Sequence, residues 1–258
     1  MTQERRWTLV TGASSGIGAE LARVFAQRGY ALVLTARRRE RLDGLAGELR
    51  GVGAHVEVVA TDLGAPDAPR RLIEEVDALG IVLHTLVNNA GFGLRGKFAT
   101  LPYERQIAMV ELNVTALTKL CGLVLPRLVA RRAGGILNVA STAAFQAGPN
   151  MAVYYATKAY VLSLSEALHE EAKPHGVTVT ALCPGPTATE FAQNADLEMS
   201  RLFKFGAMPA DEVARAGVDG YEAGKAVVIP GTTNRLGAWG AQLAPRAFVR
   251  RIAGKLQG

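Results

Sequence analysis

Cysteine, aromatic residues and long apolar runs are all scarce in this sequence of 258 residues. Its two cysteines, Cys121 and Cys183, are too few for a disulfide framework, so we expect a protein of the reducing cytoplasm. Aromatic residues make up 6% and show no zinc-finger or RNA-binding spacing, which argues against nucleic acid as a partner. No apolar run approaches the ~20 residues of a membrane span, and the short apolar stretch near the N-terminus does not predict a signal peptide.

The chain is basic, but its composition is otherwise that of an ordinary globular protein. Hydrophobic residues make up 49% and charged residues 20%, which excludes disorder as the main state. The 29 basic and 23 acidic residues give a formal charge of +6. A basic chain favours phosphorylated ligands or membrane surfaces as partners. The basic residues form short clusters at Arg37-Arg38-Arg39, Arg131-Arg132 and Arg250-Arg251.

Short apolar runs alternate along the chain with helical patterns. The runs are nearly continuous Val, Ile and Leu, which is typical of parallel strands covered by helices on both faces. Apolar residues at helical spacing predict helices over Gly16–Arg28, Leu112–Arg132 and Met151–Lys173. Because no linker or repeat interrupts the pattern, we predict one doubly wound α/β domain over residues 1–258, with a seven-stranded, Rossmann-like parallel sheet. The predicted strands are Trp7–Val10, Ala31–Thr35, His55–Ala60, Leu83–Asn88, Ile136–Val139, Val177–Cys183 and Ala226–Ile229.

A glycine-rich turn, Gly12-Ala13-Ser14-Ser15-Gly16-Ile17-Gly18, ends the first predicted strand and opens directly into a helix. Glycine permits both a sharp turn and the close approach of a ligand to the backbone. The free N–H groups and the dipole at the start of the helix favour an anion, most naturally a pyrophosphate. The spacing G-x-x-x-G-x-G differs from the common G-x-G-x-x-G, but its place in the fold predicts a dinucleotide site.

The same turn also matches the G-x-S-x-G nucleophile elbow of serine hydrolases, with Ser14 between Gly12 and Gly16. Such a hydrolase needs a histidine after its serine and acid, usually late in the chain. The last histidine in this sequence is His175. A serine hydrolase is therefore only a minor alternative.

The end of the second predicted strand indicates which dinucleotide is bound. An NAD site places Asp or Glu there to accept the ribose hydroxyls, whereas this chain has Ala36 followed by Arg37 and Arg38. A carboxylate would repel a 2′-phosphate, while Arg37 can pair with it through charge-assisted hydrogen bonds. Cations are also disfavoured at a helix N-terminus, which favours an anionic ligand. We therefore predict NADP(H) as cofactor in preference to NAD(H).

Tyr154 and Lys158 are four residues apart on a strongly helical stretch, so they share one face. A tyrosine is a poor acid or base at neutral pH, but an adjacent ammonium favours its phenolate. Such a pair can donate a proton to a carbonyl oxygen or remove one from an alcohol. Ser141 follows the fifth predicted strand, at the sheet edge where α/β folds bind their ligands.

These features together resemble the short-chain dehydrogenase/reductase family, and the resemblance extends over nearly the whole chain. It implies an oxidoreductase that interconverts a carbonyl and an alcohol. The residues that carry it occur in the family's order and at family-like spacing: Gly12–Gly18, Asp62, Asn88-Asn89-Ala90-Gly91, Asn113, Ser141, Tyr154 with Lys158, and Pro184-Gly185 through Thr189.

The resemblance implies four catalytic residues. Tyr154 is the general acid/base, and Ser141 forms a hydrogen bond with the substrate oxygen. Lys158 holds the nicotinamide ribose and lowers the pKa of the tyrosine, while Asn113 anchors a water that links Lys158 to solvent.

The resemblance also implies the cofactor contacts. Asp62 would contact adenine, and the backbone of Asn89 would lie beside the adenosine ribose. Thr187 and Thr189 would contact the nicotinamide carboxamide. The predicted cofactor-binding residues are Gly12, Ser14, Ser15, Gly16, Ile17, Gly18, Arg37, Arg38, Asp62, Leu63, Asn89, Ala90, Gly91, Tyr154, Lys158, Pro184, Gly185, Thr187 and Thr189.

The substrate is predicted to be a hydrophobic carbonyl compound or alcohol. Residues 190–208 are expected to cover the active site and are rich in Phe, Leu and Met, while Phe92 and Met151 flank the motifs from other sides. A pocket of this kind can adapt to several apolar substrates.

Two further expectations concern partners. The resemblance implies a homo-oligomer, a tetramer or a dimer, built through the two long central helices. The tail 231–258 has the pattern of a basic amphipathic helix, which could lie on an anionic bilayer, but packing on its own or a neighbouring subunit is favoured. A nucleotide-sensing binding protein on the same fold is the other alternative, and the presence of all four catalytic residue types argues against it.

Overall fold

Seven strands form one parallel sheet in a computed structural model that describes residues 5–190 and 206–257. Their order is β3-β2-β1-β4-β5-β6-β7, and every pairing is parallel. This confirms the predicted fold class. The strands are β1 (Trp7–Thr11), β2 (Ala31–Thr35), β3 (Val56–Val58), β4 (Leu83–Asn88), β5 (Gly135–Val139), β6 (Thr178–Leu182) and β7 (Val227–Val228).

Helices cover both faces of the sheet. On one face, α1 (Gly16–Gln27), α2 (Arg39–Gly51) and α7 (Ala210–Glu222) form a continuous apolar core with the strands. On the other face, α3 (Ala68–Ala78) packs beside two longer helices. Since the inner strands are almost entirely buried on both sides, their continuous apolar runs correctly indicated strands of a parallel sheet. The single domain over residues 1–258 stays a prediction.

The remaining helices are α4 (Tyr103–Val110), α5 (Leu117–Arg131), α6 (Ala152–Ala172), α8 (Thr232–Leu243) and α9 (Arg246–Gln257), with short 3-10 turns at Thr142–Phe145 and Lys173–His175.

One central helix is longer than its apolar pattern predicted. It begins at Tyr103 and continues through a π-helical turn, Glu111–Ala116, into α5. Its first two turns bury only Gln106 and Met109, so they carry too weak a pattern to be recognised. The whole helix, Tyr103–Arg131, is long and apolar enough to cross a membrane by length and composition. Buried core helices meet the same criteria, and the inner face of α5 is buried in the core cluster.

The two outermost strands are shorter than predicted. Val56–Val58 replaces His55–Ala60, and Val227–Val228 replaces Ala226–Ile229. Each of these strands pairs with one neighbour only, so apolar residues at its ends have no second strand to hold them in the ladder.

The strand order reverses between β1 and β4. The chain leaves β1 towards β2 on one side, whereas β4 lies on the other side. The loops that follow these strands therefore diverge and leave a crevice at the carboxyl edge of the sheet, where ligands of such folds bind.

Candidate active site

A cavity of about 770 Å³ lies at this carboxyl edge. Its walls are the glycine-rich turn after β1, the residues that follow β2, β4 and β5, and the segment from Pro184 to Thr187 after β6. Nearly all the residues predicted to bind the cofactor line it, as do Ser141, Tyr154 and Lys158. Three of the predicted site residues are not among the lining residues: Gly18, Asn113 and Thr189.

The glycine-rich turn is held in place by the side chain of Asn89. Its amide nitrogen Nδ2 donates to the carbonyl of Thr11 at 3.0 Å and to that of Gly12 at 3.2 Å. Gly12 has a φ of +65°, and a Cβ atom added there would lie 2.8 Å from the same nitrogen. A Cβ on Gly18 would lie 2.3 Å from the carbonyl oxygen of Gly12. Gly18 therefore allows α1 to pack against the turn.

Thr11, which the sequence reasoning missed, joins β1 to β4. Its hydroxyl donates to the carbonyl of Val87 at 3.1 Å and accepts from the backbone N–H groups of Asn89 and Ala90 at 2.9 and 3.0 Å. These hydrogen bonds hold the carboxyl ends of β1 and β4 together at the bottom of the crevice. A polar residue at the end of an otherwise apolar strand was the only signal in the sequence.

An arginine–carboxylate cluster lies at the rim where the 2′-phosphate was predicted. Arg38 donates from Nη2 to the hydroxyls of Ser14 and Ser15 at 3.1 and 2.9 Å. Its other terminal nitrogen, Nη1, donates to Glu190 at 3.0 Å, and Arg41 pairs with the same carboxylate. Hydrogen bonds from Arg41 and Arg38 hold the pKa of Glu190 below its usual value. The rim therefore already holds an anionic group beside the glycine-rich turn.

Arg38 and Arg37 occupy different positions in this cluster. Both line the cavity, together with Ala36. Among the described residues, Arg38 alone of the two donates hydrogen bonds to the serines of the turn. The pairing of Arg37 with a 2′-phosphate stays a prediction, and these contacts make Arg38 a second candidate.

The side of the cleft where adenine was predicted to bind combines a turn with a core residue. The Asp62 carboxylate accepts a hydrogen bond from the backbone N–H of Gly64 at 3.1 Å, and its side chain is exposed towards the cavity rim. Leu63 is buried among the core residues and presents one edge to the cavity.

Ser141, Tyr154 and Lys158 come together further along the cleft, beyond the glycine-rich turn. Ser141 follows β5, and its hydroxyl accepts from the N–H of Ala143 at 3.1 Å and lies 3.3 Å from the Pro184 carbonyl. The Tyr154 hydroxyl shares a hydrogen bond with Ser141. Lys158, one helical turn along α6, donates from Nζ to the carbonyl of Val139 at 2.7 Å and lies 5.8 Å from the centre of the Tyr154 ring.

Burial controls the ionisation of this group. Removal from water raises the pKa of Tyr154, and the hydrogen bond with Ser141 offsets only part of that rise. Burial also lowers the pKa of Lys158 to about 8. In the nucleotide-free chain, desolvation is the largest influence on the tyrosine pKa, and the lowering expected from Lys158 stays a prediction. Tyr154 is held here as a neutral proton donor.

Asn113 lies behind the cleft wall, in the π-helical turn. Its side-chain oxygen accepts from the N–H of Phe92 at 3.1 Å, and its Nδ2 donates to the Phe92 carbonyl at 2.9 Å and to the Thr157 hydroxyl at 3.2 Å. The side chain therefore joins the loop after β4 to α6. The water contact implied by the resemblance stays a prediction.

The segment after β6, which was predicted to contact the nicotinamide, forms another wall of the cavity. The Thr187 hydroxyl donates to the Gly185 carbonyl at 3.0 Å, and the Thr189 hydroxyl lies 3.4 Å from the Thr187 carbonyl. A Cβ on Gly185 would lie 2.3 Å from the side chain of Asn234, so α8 packs directly beneath this segment. A Cβ on Gly16 would lie 3.1 Å from Thr189, which therefore abuts the glycine-rich turn.

The substrate end of the cavity includes residues that the sequence reasoning missed. The guanidinium of Arg105 lies over the Phe92 ring, 5.4 Å from its centre. Arg105 comes from α4, whose pattern gave no sign that it reaches the cleft. Residues 191–205 of the expected covering segment lie outside the described residues. The lining residues not assigned to the site from sequence include Arg105, Ala108, Leu112, Gln146 and Tyr155, whereas Phe92 and Met151 were expected.

Comparison with known proteins identifies relatives of this chain. A family model described as short chain dehydrogenase matches residues 6–200. A short-chain dehydrogenase from Sphingobium yanoikuyae, solved in complex with NADPH, is 37% identical with a TM-score of 0.82, and the match covers 91% of this chain and 92% of that one. A bulky-bulky ketone specific alcohol dehydrogenase from Comamonas testosteroni is 33% identical with a TM-score of 0.77, covering 88% and 87%. A short chain dehydrogenase/reductase from Burkholderia phymatum in complex with NAD is 25% identical with a TM-score of 0.82, covering 93% and 95%.

Proposed function

We propose that this chain, which belongs to the short-chain dehydrogenase/reductase family, is an NADPH-dependent oxidoreductase that reduces a hydrophobic carbonyl compound to its alcohol. The observation that carries the proposal is the meeting of Ser141, Tyr154 and Lys158 in the same cleft as a glycine-rich turn. Relatives of this chain have been solved with NADPH and with NAD, so the family alone leaves the choice of nucleotide open.

The rim of the cleft supports NADPH over NADH. The glycine-rich turn leaves no room for a side chain at Gly12. A backbone turn of this kind at the start of a helix can cradle a pyrophosphate. Arg38 and Arg41 converge on one carboxylate beside Ser14 and Ser15, and this arrangement supports an anionic ligand at the rim. A 2′-phosphate carries more charge than a carboxylate and would compete with Glu190 for the same arginines.

The protonation states of the catalytic group support carbonyl reduction. A neutral Tyr154 can donate its proton to the carbonyl oxygen, and the Ser141 hydroxyl can donate a hydrogen bond to the same oxygen. The resulting phenolate would be stabilised by the ammonium of Lys158, which is charged below a pH of about 8. NADPH, when bound, supplies the hydride. In the reverse direction, the Tyr154 phenolate would accept the proton of the alcohol, and bound NADP+ would accept the hydride.

The apolar lining of the substrate end supports a hydrophobic substrate. Phe92, Leu112 and Met151 line the cavity there, and Met side chains adapt to more than one ligand shape. A relative from Comamonas testosteroni is described as specific for bulky-bulky ketones, which is compatible with this lining. The single cation of this wall among the described residues, Arg105, lies over an aromatic ring.

The test is a series of ketones of increasing chain length beside small keto acids, with NADPH consumption followed at a fixed NADPH concentration and NADH in parallel. Each additional buried methylene is worth ~0.8 kcal/mol, so kcat/KM is expected to rise along the series until the pocket is full. Faster turnover of the small acids would contradict the proposed substrate class. NADPH binding without turnover of any carbonyl compound would favour a nucleotide-binding protein instead.

We further propose a cytoplasmic homo-oligomer assembled through the long central helices. Ile107 and Tyr160, on α4 and α6, are 42% and 40% exposed, which supports a contact on that face. Analytical ultracentrifugation should show a dimer or tetramer, and a 27.3 kDa monomer at micromolar concentration would contradict it.

A further inference from the structure

Nearly all of the net charge of this protein lies in its last 28 residues. Residues 231–258 contain Arg235, Arg246, Arg250, Arg251 and Lys255 and no acidic residue. Taking these five away from the 29 basic residues leaves 24, against 23 acidic ones in the rest of the chain. The positive charge of the protein is therefore a property of this segment and not of its whole surface.

The segment folds as a helical hairpin whose inner side is anchored to the body of the protein. Helices α8 and α9 each bury one small residue, Ala238 at 4% and Ala253 at 2% exposure. A Cβ on Gly254 would lie 3.3 Å from Pro149, so the inner side of α9 touches the loop before α6. The hairpin is thus packed on its own subunit, as the sequence favoured, and only its outer side remains open.

The outer side combines large apolar residues with the cations. On α9, Phe248, Arg251, Ile252 and Lys255 have the i, i+3, i+4, i+7 spacing of one face, and all four are exposed. Phe248 is 59% exposed, on the side of the helix away from the buried Ala253. This is the composition of a helix that lies in the plane of a membrane interface.

The outer side of α8 is similar. Leu236, Trp239 and Leu243 follow one another at helical spacing and are 66%, 55% and 88% exposed. Arg235 lies one turn from Trp239 and is exposed as well. A tryptophan between apolar residues and a cation is typical of the boundary between lipid headgroups and acyl chains.

We propose that this outer side, consisting of Arg235, Leu236, Trp239 and Leu243 on α8 and Phe248, Arg251, Ile252 and Lys255 on α9, docks the enzyme on an anionic lipid bilayer. Among residues 5–190 and 206–257, none of the five cations of the hairpin belongs to an ion pair, whereas seven arginines elsewhere do. Unpaired cations beside apolar side chains match the charge and the hydrocarbon of such a surface.

A second copy of the chain fits this surface less well. A two-fold contact sets the same patch against itself. The three outer cations of one subunit, Arg235, Arg251 and Lys255, would then face the same three of the other, with no acidic residue in the hairpin to separate them. An anionic bilayer supplies the charge that a second copy lacks.

The experiment is flotation of the full-length protein with two kinds of vesicle, phosphatidylcholine alone and phosphatidylcholine mixed with phosphatidylglycerol. Binding is expected only to the anionic vesicles, and it should fall as salt is added. Replacing Arg251 and Lys255, the two cations on the outer face of α9, with Gln should weaken binding by about 30-fold. The matched control replaces Arg70 and Arg71, an exposed adjacent pair on α3, with Gln, and should leave binding unchanged.

A second readout reports on the apolar part of the surface. In a Trp7→Phe background, Trp239 is the only tryptophan, and its emission should shift to shorter wavelength with anionic vesicles. Three results would overturn the proposal: no flotation with the anionic vesicles, an equal loss of binding in the Arg70/Arg71 variant, or dissociation of an oligomer by Leu236→Ser with Trp239→Ala. The last result would assign the surface to a second copy. None of these measurements depends on catalytic activity.

Discussion

The two ends of the cleft are built in different ways. The cofactor end is mostly backbone, a glycine-rich turn held by Asn89 and Thr11 through hydrogen bonds of 2.9 to 3.2 Å. The substrate end is mostly side chains, which come from the loop after β4, from α4 and from α6. Tyr154 and Lys158 lie where the two ends meet.

This difference explains why the residues of the cofactor end could be predicted from the sequence, whereas those of the substrate end could not. A backbone cradle requires glycine at particular positions, so it leaves a local pattern in the sequence. A wall of side chains requires only apolar residues of suitable size, and these resemble ordinary core residues. The cofactor end should accordingly respond sharply to single substitutions, and the substrate end gradually.

The largest effect is expected where the two ends meet. Tyr154→Phe removes the proton donor and keeps the ring, so kcat should fall by about 10²- to 10⁴-fold while NADPH still binds. Steady-state kinetics and NADPH fluorescence titration measure the two effects separately. Tyr155→Phe, which alters the neighbouring ring 6.2 Å away, is the control and should retain far more activity. A kcat within ~3-fold of wild type for Tyr154→Phe would contradict the assignment of Tyr154 as the proton donor.

The next effect concerns the rim of the cofactor end. Arg38→Ala should raise KM for NADPH by about 10- to 150-fold, since a charge-assisted hydrogen bond to phosphate is lost, and should change KM for NADH much less. Arg37→Ala is the matched comparison. We expect it to have the smaller effect, because Arg38 is the residue that contacts Ser14 and Ser15. A larger rise in KM for NADPH in Arg37→Ala than in Arg38→Ala would show that Arg37 is the main partner of the 2′-phosphate.

Gly18 tests how rigid the cradle is. In Gly18→Ala the new methyl group would lie 2.3 Å from the carbonyl oxygen of Gly12 and from Nδ2 of Asn89, so the turn must shift. We expect a loss of about 1–3 kcal/mol in the free energy of unfolding, together with weaker NADPH binding. Gly47→Ala, on α2 with no atom within 4 Å of the new methyl, should instead be neutral or slightly stabilising. Chemical denaturation with and without NADPH would distinguish these outcomes.

The pH dependence should report Lys158. Because its pKa is lowered to about 8 in the free protein, the ammonium is present below that pH and is lost above it. The value of kcat/KM for NADPH in carbonyl reduction should therefore be constant at neutral pH and fall as the pH rises through about 8. In Lys158→Arg the side chain stays charged, so whatever activity remains should lack this decline. An unchanged profile in that variant would assign the decline to another group.

The smallest effect is expected for Glu190. If its carboxylate competes with the 2′-phosphate for Arg38 and Arg41, Glu190→Gln should tighten NADPH binding by about 2- to 5-fold, as for an exposed ion pair. NADH binding should not change. Glu48→Gln, which breaks the exposed pair with Arg23 far from the cleft, is the control. Equal tightening for both nucleotides would show that Glu190 does not compete with the phosphate.

The sequence alone determined the features that depend on neighbours along the chain. The glycine-rich turn lies within one strand-to-helix connection, and Tyr154 and Lys158 lie within one helical turn, so their spacing was sufficient to place them. The alternation of apolar runs and helical patterns likewise predicted the seven parallel strands and their order of appearance.

Only the tertiary structure decided which distant residues meet. It placed Asn89 under the glycine-rich turn, Arg105 over Phe92, and Glu190 between two arginines on α2 and in the loop before it. It also shortened the two edge strands and left the outer side of the C-terminal hairpin uncovered. These contacts join segments far apart in the chain, and they depend on strand order and helix packing, which no local spacing encodes.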